Sequence, residues 1–202
     1  MATTTAPKQR SDTAEQILDL AETLIQTRGY SAFSYQDIAD SLGIRKASIH
    51  YHFPSKTELG IAVVDRYIAR FGAGLTTISD DQSQSSMTML DFYVQPYLQF
   101  ASTPDRVCLS GALAGEMLAL PPELRARVDH FFRIHHTWLT KILKRGVTRG
   151  EFRLPAPAPK VARFTFAALQ GALLVKRTTD DPTQLDDVIS VMKLQLAPRP
   201  ER

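Results

Sequence analysis

The chain has 202 residues, of which 44% are hydrophobic and 8% aromatic, enough to bury the core of one large domain or of a small and a larger one. No apolar run approaches the roughly 18–20 residues of a membrane span, and the polar N-terminus lacks the apolar segment of a secretory signal. A single cysteine excludes an intramolecular disulfide, so we expect a cytoplasmic protein, and the net charge of +3 weakly indicates an anionic partner.

The N-terminal part of the sequence predicts a short tail and then an amphipathic helix. Residues 1–10 are small and polar, and we expect them to form a flexible tail. Apolar residues then recur at the spacing of one buried helix face, at Ile17, Leu20, Ala21, Leu24 and Ile25. Arg28 and Gly29 are typical of a helix end. Ser34 can cap the next helix through its hydroxyl.

Residues 35–56, YQDIADSLGIRKASIHYHFPSK, have the spacing of a helix-turn-helix. Ala39 is small, which allows the two helices to cross closely. Gly43 can adopt the positive φ of a sharp turn, and Ile49 would anchor the second helix in the core. This leaves a set of polar residues exposed on or just beyond the second helix: Arg45, Lys46, Ser48, His50, Tyr51 and His52. The pattern alone also allows two core helices joined by a glycine turn.

Positive charge is concentrated on the second helix of this pair and on the segment that follows it. Residues 1–72 contain eight Lys/Arg and eight Asp/Glu, so the N-terminal region is balanced as a whole. Segment 42–56, however, carries three basic residues and no carboxylate. A short basic segment of this kind favours docking into a DNA groove.

Pro54 ends the second helix, and Ser55 can cap a long helix over roughly residues 56–78. The N-terminal region resembles the DNA-binding domain of TetR-family repressors. The resemblance covers the first amphipathic helix and then the segments GYSAFSYQDIADSLGI and IHYHFPSKTEL. The resemblance implies an all-α homodimer with a small three-helix DNA-binding domain and a larger helical bundle for ligand binding and dimerisation. The predicted organisation is a tail at 1–10, a helix-turn-helix domain at 11–56, a linker helix at 57–78, and an effector-binding and dimerisation domain at 79–197.

The resemblance and the helix-turn-helix geometry imply roles for the residues that match the family motif. The expected phosphate ligands are Ser34, Tyr51, His52 and Lys56; the expected readers of base edges are Arg45, Lys46 and Ser48; and His50 is open between the two roles. The implied partner is double-stranded DNA with a near-palindromic site. Arg45 stands where the family usually has Ser or Thr, Ala47 where Gly is usual, and His50 where Tyr is common, so no relative predicts the operator sequence.

The C-terminal part offers one residue with a chemistry of its own, Cys108. We expect it in the first turn of a helix running to about Leu120, where the helix dipole favours a thiolate. Its position resembles that in the electrophile-sensing branch of the family, in which modification of such a cysteine releases DNA. The alternative is a buried cysteine that only packs.

Other residues of this part either line an effector cavity or fill the core, and core packing is the stronger expectation for each of them: Tyr93, Tyr97, Phe131, His135 and Trp138. Pro96 is expected to kink or break its helix. His130, His135 and His136 lack the spacing of a metal site, so we expect no metal and no cofactor.

Two closing helices, at about 160–178 and 183–196, combine small and apolar residues. In the family that the sequence resembles, the last two helices pair with their twofold mates. The expected interface residues are Ala168, Gly171, Leu174, Val188 and Met192. Packing of the monomer's own core is the competing use.

The sequence therefore predicts a dimeric, cytoplasmic repressor that is released from its operator by a small-molecule effector or by modification of Cys108. An enzyme is not expected, because the sequence has no GxSxG motif, no phosphate-binding loop and no paired-carboxylate motif. An architectural DNA-binding protein would need a broad basic surface, whereas residues 1–72 are balanced in charge.

Overall fold

A computed structural model describes residues 6–103 and 105–197. This part of the chain folds into nine α-helices without a strand, which confirms the predicted all-α class. The helices are α1 (Ala6–Arg28), α2 (Tyr35–Leu42), α3 (Lys46–His52), α4 (Lys56–Asp80), α5 (Ser86–Ala101), α6 (Leu109–Gly115), α7 (Pro122–Thr148), α8 (Ala158–Thr179) and α9 (Gln184–Leu196). Helix α1 begins inside the tail that was expected at 1–10, and residues 1–5 lie outside the described residues.

The chain divides into two compact units. The first unit contains the residues up to Ile68 together with Leu109–Val128, and the second contains Ala69–Cys108 and the residues from Asp129 onward. Segment 109–128 was expected in the effector domain, but it belongs to the first unit, where α6 contacts α1. Leu113 and Leu124 are buried here, so apolar packing accounts for the difference from the expected boundary.

In the first unit, α1, α2 and α3 pack on one another. Gly43 ends α2 with a φ of 65°, and its N–H donates to the carbonyl of Ala39. Ala39 and Ile49 are both buried, and Ile49 has no exposed surface at all. The close crossing, the left-handed turn and the anchored second helix therefore have the form that the sequence predicts.

In the second unit, α5 packs against both α8 and α9, which also pack on each other. Its apolar core adds side chains from α7 and from the second half of α4. Helix α5 runs through Pro96 without the break that was one of the two expected outcomes. Pro96 lacks the N–H that would bond to the carbonyl of Phe92, and Phe92 is an exposed residue, so water can reach that part of the helix.

Two arginines at the end of α7 fasten the loop between α4 and α5. Arg145 donates to the carbonyls of Gln82 (3.1 Å) and Gln84 (3.0 Å), and Arg149 donates to the same two carbonyls at 3.3 and 3.2 Å. The Glu151 carboxylate pairs with Arg149 and accepts the backbone N–H of Ser86. Charge-assisted bonds of this kind hold the first residues of α5 on the end of α7.

Candidate DNA-binding and effector sites

Ser34 and Asp37 start α2 with a capping box. The Ser34 hydroxyl accepts the N–H of Gln36 at 3.2 Å, while the Asp37 carboxylate accepts the N–H and the hydroxyl of Ser34, both at 2.7 Å. These bonds from Ser34 lower the pKa of Asp37, so its carboxylate is ionised at neutral pH. Ser34 is exposed, but its hydroxyl already serves the helix start.

Helix α3 buries Ile49 and leaves several of its polar side chains accessible. Arg45 and Lys46 are exposed, Ser48 is half-buried, and Tyr51 retains 63% of its surface. Arg45 is the N-cap residue, yet its side chain makes no capping hydrogen bond. Its guanidinium is therefore available to a ligand, which the usual Ser or Thr cap would not provide.

His50 is fixed at the end of α3. Its Nδ1 lies 3.2 Å from the carbonyl of Pro54, and its ring meets Tyr35 edge-on with centroids 4.8 Å apart. Because a carbonyl only accepts, Nδ1 must carry the hydrogen, which leaves Nε2 as the nitrogen that can contact DNA. The ring of the neighbouring His52 packs between Tyr51 (5.2 Å) and Phe53 (6.4 Å).

Lys56 is half-buried and engaged inside the first unit. Its ammonium donates to the carbonyl of Phe33 and lies over the rings of Tyr30 (4.7 Å) and Phe33 (4.4 Å). Burial lowers the pKa of Lys56, while the carboxylates of Glu116 and Asp37 oppose that shift. The ammonium has three N–H donors. The phosphate contact expected from the sequence would therefore use the N–H groups that do not bond to the carbonyl of Phe33.

Glu116 is a residue of this unit that the sequence analysis missed. Its carboxylate accepts the backbone N–H groups of Tyr30 (2.6 Å) and Ser31 (2.8 Å), just beyond the end of α1. Gly29 has a φ of +95°, and a Cβ there would lie 2.2 Å from Oε1 of Glu116. No local pattern marks Glu116, since its partners are more than eighty residues away in sequence.

In the second unit, Trp138 and Tyr93 stack inside the aromatic core. Their ring planes are 13° apart, with centroids separated by 5.3 Å. The indole N–H of Trp138 donates to Ser79 Oγ (2.7 Å) and to the carbonyl of Leu75 (3.2 Å). These bonds satisfy the polar atom of Trp138 from α4, which favours the packing role for this residue.

His135 is buried among aromatic rings. The centroids of Phe131, Phe71 and Phe166 lie 4.1, 4.4 and 4.9 Å from that of the imidazole. Its Nδ1 is 2.6 Å from the hydroxyl of Tyr93. Burial lowers the pKa of His135 to about 3, with a smaller contribution from His136, so the ring is neutral. Sequence reasoning named Phe131 and Tyr93 but missed Phe71 and Phe166.

Cys108 is 3% exposed and immediately precedes α6, which ends at Gly115 rather than near Leu120. Cys108 and Tyr97 belong to the same buried core, and burial raises the pKa of Tyr97. A buried thiol in apolar surroundings is poorly accessible to an electrophile. This burial favours the packing alternative for Cys108.

The outer face of α8 and α9 carries exposed apolar side chains, namely Phe164, Leu174, Val175, Val191 and Leu194. Of the expected interface residues, Leu174 is exposed, Ala168, Gly171 and Val188 are half-buried, and Met192 is 3% exposed. Met192 packs in the apolar core of its own unit. The sequence analysis missed Phe164, Val175, Val191 and Leu194.

Comparison with known proteins identifies the family. Residues 17–63 match the model described as "Bacterial regulatory proteins, tetR family", and residues 88–192 match "Tetracyclin repressor-like, C-terminal domain". The chain belongs to the TetR family. It is therefore a DNA-binding transcriptional regulator, as the sequence predicted.

Individual TetR-family proteins resemble this regulator over most of their length. A TetR-family regulator from Agrobacterium tumefaciens has a structure with a TM-score of 0.88 and 32% identity, covering 94% of this chain and 100% of that one. One from Legionella pneumophila has a TM-score of 0.83 and 32% identity, covering 91% and 97%. The repressor DhaR of Mycobacterium sp. is 24% identical, covering 95% of this chain and 96% of its own.

Two further observations concern the part of this TetR-family chain that the structure describes. Within residues 6–103 and 105–197, no helix is both long and apolar enough to cross a membrane. Across the same residues, no group of three or more His, Cys, Asp or Glu side chains could hold a metal ion.

Proposed function

We propose that this TetR-family regulator is a dimeric, cytoplasmic repressor that leaves a near-palindromic operator when a small-molecule effector binds its second unit. The exposed polar face of α3, held by the fully buried Ile49, carries the proposal. A helix anchored on one side and polar on the other is suited to the major groove. The similarity to DhaR, a repressor, supports repression rather than activation.

On the DNA side, Arg45, Lys46 and Ser48 read base edges, while Ser34, Tyr51, His52 and Lys56 bind phosphates. Arg45 suits base reading because its guanidinium is exposed and makes no capping bond. His50 contributes through Nε2, since Nδ1 is bonded to Pro54. Lys56 has a second role, because its ammonium also holds the carbonyl of Phe33.

A second copy of the chain covers the outer face of α8 and α9. Two apolar grooves, of about 320 and 260 Å³, adjoin there and share Phe164 and Met192 as lining residues. Phe164, Val191 and Leu194 are 55, 53 and 72% exposed, which is typical of an interface rather than of a free surface. Ala168, Gly171, Leu174 and Val188 belong to the same face.

We propose that the effector binds non-covalently in the aromatic core, rather than that modification of Cys108 releases the DNA. His135, Tyr93, Tyr97, Phe131 and Trp138 form that core with an internal polar network, whereas the thiol is buried.

The deciding experiment is a footprint of the purified protein on the DNA that flanks its own gene. It is run on the reduced protein and on protein treated with an electrophile, with Cys108→Ser beside the wild type. We expect protection of a near-palindrome that survives the electrophile in both proteins. Protection lost only in the wild type would instead make Cys108 the sensor, and no protection would contradict the proposed operator.

A further inference from the structure

Nε2 of His135 is a buried polar atom without a hydrogen-bond partner among the residues that the structure describes. The residue is 1% exposed, and aromatic rings surround it. A buried polar group without a partner destabilises a fold, because it has lost its hydrogen bonds to water. Such a group inside the unit that we propose binds an effector therefore points to a ligand.

The hydrogen bond between Tyr93 and His135 decides whether Nε2 donates or accepts. The hydroxyl of Tyr93 lies 2.6 Å from Nδ1 of His135. A phenol O–H is a stronger donor than the N–H of a neutral imidazole, and an imidazole nitrogen is a stronger acceptor than a phenol oxygen. The hydroxyl of Tyr93 therefore donates to Nδ1.

The imidazole is neutral, and in a neutral imidazole one nitrogen accepts while the other carries the hydrogen. With Nδ1 accepting from Tyr93, the hydrogen must sit on Nε2. The orphaned atom of His135 is therefore an N–H donor. It needs an acceptor that the described residues do not supply.

We propose that the effector is a neutral aromatic compound whose carbonyl oxygen accepts the Nε2–H of His135. This inference rests on the proposed function, since it specifies the ligand of the same regulatory site. The three phenylalanine rings around the imidazole favour a flat apolar body. An anionic acceptor is disfavoured, because a carboxylate buried among these rings would lose its hydration.

Phe71 is the ring that moves aside to admit the effector. It stacks on His135 with ring planes 21° apart, and it is only partly buried, whereas Phe131 and Phe166 are buried. Glycines at 72 and 74 follow it within α4. A Cβ at Gly72 would meet open space, so packing does not require glycine there. Glycine inside a helix weakens it, so this turn of α4 can yield when Phe71 moves.

The test compares acetophenone with α-methylstyrene, which has the same shape but a CH₂ group in place of the carbonyl oxygen. Calorimetry on the full-length protein without DNA gives both affinities. We expect acetophenone to bind at least tenfold more tightly to the wild type and to His136→Phe, the neighbouring control. In His135→Phe the two affinities should become equal. Equal affinities in the wild type, or no binding of acetophenone at millimolar concentration, would overturn the proposal.

A second measurement needs no ligand. The ¹⁵N chemical shifts of the His135 side chain distinguish a protonated Nε2 from a protonated Nδ1. We expect the hydrogen on Nε2, and the opposite tautomer would overturn the inference. The footprint with acetophenone present tests the proposed function separately. An operator that stays occupied while acetophenone binds through His135 would contradict effector release and leave the ligand chemistry standing.

Discussion

The carboxylate of Glu116 accepts a 2.6 Å hydrogen bond from the backbone N–H of Tyr30, and so joins two segments far apart in sequence. Ser31 donates a second bond at 2.8 Å. Both donors lie directly after the left-handed Gly29, so the turn that ends α1 directs two consecutive N–H groups at one carboxylate. This contact fixes the segment after α6 against the connection between α1 and α2, within the first unit.

Replacing Glu116 should therefore destabilise the first unit. We predict that Glu116→Ala lowers the free energy of unfolding by about 1.5–3 kcal/mol, the range for hydrogen bonds to a charged group. Urea denaturation followed by circular dichroism measures the change. Glu123→Ala, an exposed carboxylate in the first turn of α7, is the control and should stay within about 0.5 kcal/mol of the wild type. Equal stability of the two variants would mean that Glu116 does not hold the turn.

The stability of the second unit should depend on pH through His135. Burial lowers the pKa of His135 to about 3 from its ordinary value of 6.5. Between these values the unfolded chain binds a proton that the folded protein does not, so the free energy of unfolding falls as the pH falls. The slope approaches about 1.4 kcal/mol per pH unit at most.

We predict that His135→Phe removes this contribution. The unfolding free energy of the wild type should therefore fall steadily, relative to that of His135→Phe, as the pH is lowered from 6.5 to 4.5. Urea denaturation at intervals of half a pH unit measures it. His130→Phe replaces an exposed histidine of the same helix and should follow the wild type. A constant difference across the range would show that His135 titrates normally in the folded protein.

The sequence predicted those features that depend on neighbours in the chain. Gly43 forms the turn between α2 and α3, because only glycine adopts a positive φ there without strain. The spacing of Ala39 and Ile49 places both residues in the core. Ser34 caps α2 as its position indicates. Local spacing is sufficient for such features because each depends on residues within one or two helical turns.

Contacts between distant segments were not predictable in this way. The ammonium of Lys56 reaches the carbonyl of Phe33, and Glu116 reaches the turn after α1, through folding that brings separate helices together. On α9, Met192 and Val191 are adjacent and both apolar, yet Met192 is buried and Val191 is exposed. Periodicity identifies an apolar stripe, but the neighbouring helices decide which edge of the stripe is covered.

Two helix glycines should respond in opposite ways to the same substitution. At Gly146 in α7, a Cβ would lie 2.1 Å from Cδ2 of Phe152, so Gly146→Ala should destabilise the protein by about 1–3 kcal/mol through overpacking. At Gly72 in α4, a Cβ meets open space, so Gly72→Ala should stabilise it by about 0.5–1 kcal/mol. Thermal unfolding of both variants measures the signs. Stabilisation by both would show that Phe152 does not cover Gly146.

Arg45 and Tyr51 should affect operator binding differently. We predict that Arg45→Ala weakens operator binding by about 1–3 kcal/mol and relaxes the base preference at one position in each half-site. Tyr51→Phe, which removes only a hydroxyl, should weaken binding to all sequences alike. Fluorescence anisotropy with the footprinted operator and single-base variants measures both effects. An unchanged base preference in Arg45→Ala would assign Arg45 to the DNA backbone.

The outer face of α8 and α9 should hold the dimer together. Val191 is 53% exposed and lines the groove of about 260 Å³ with Phe164 and Ala168. A carboxylate buried at a twofold interface would lose its hydration and repel its symmetry mate, so Val191→Glu should give a monomer in light scattering coupled to size-exclusion chromatography. Ser190→Glu adds the same charge at the adjacent exposed position and should remain dimeric.

Because a dimer presents two recognition helices at a fixed spacing, Val191→Glu should also bind the operator much more weakly than Ser190→Glu. A Val191→Glu protein that stays dimeric would remove this face from the interface.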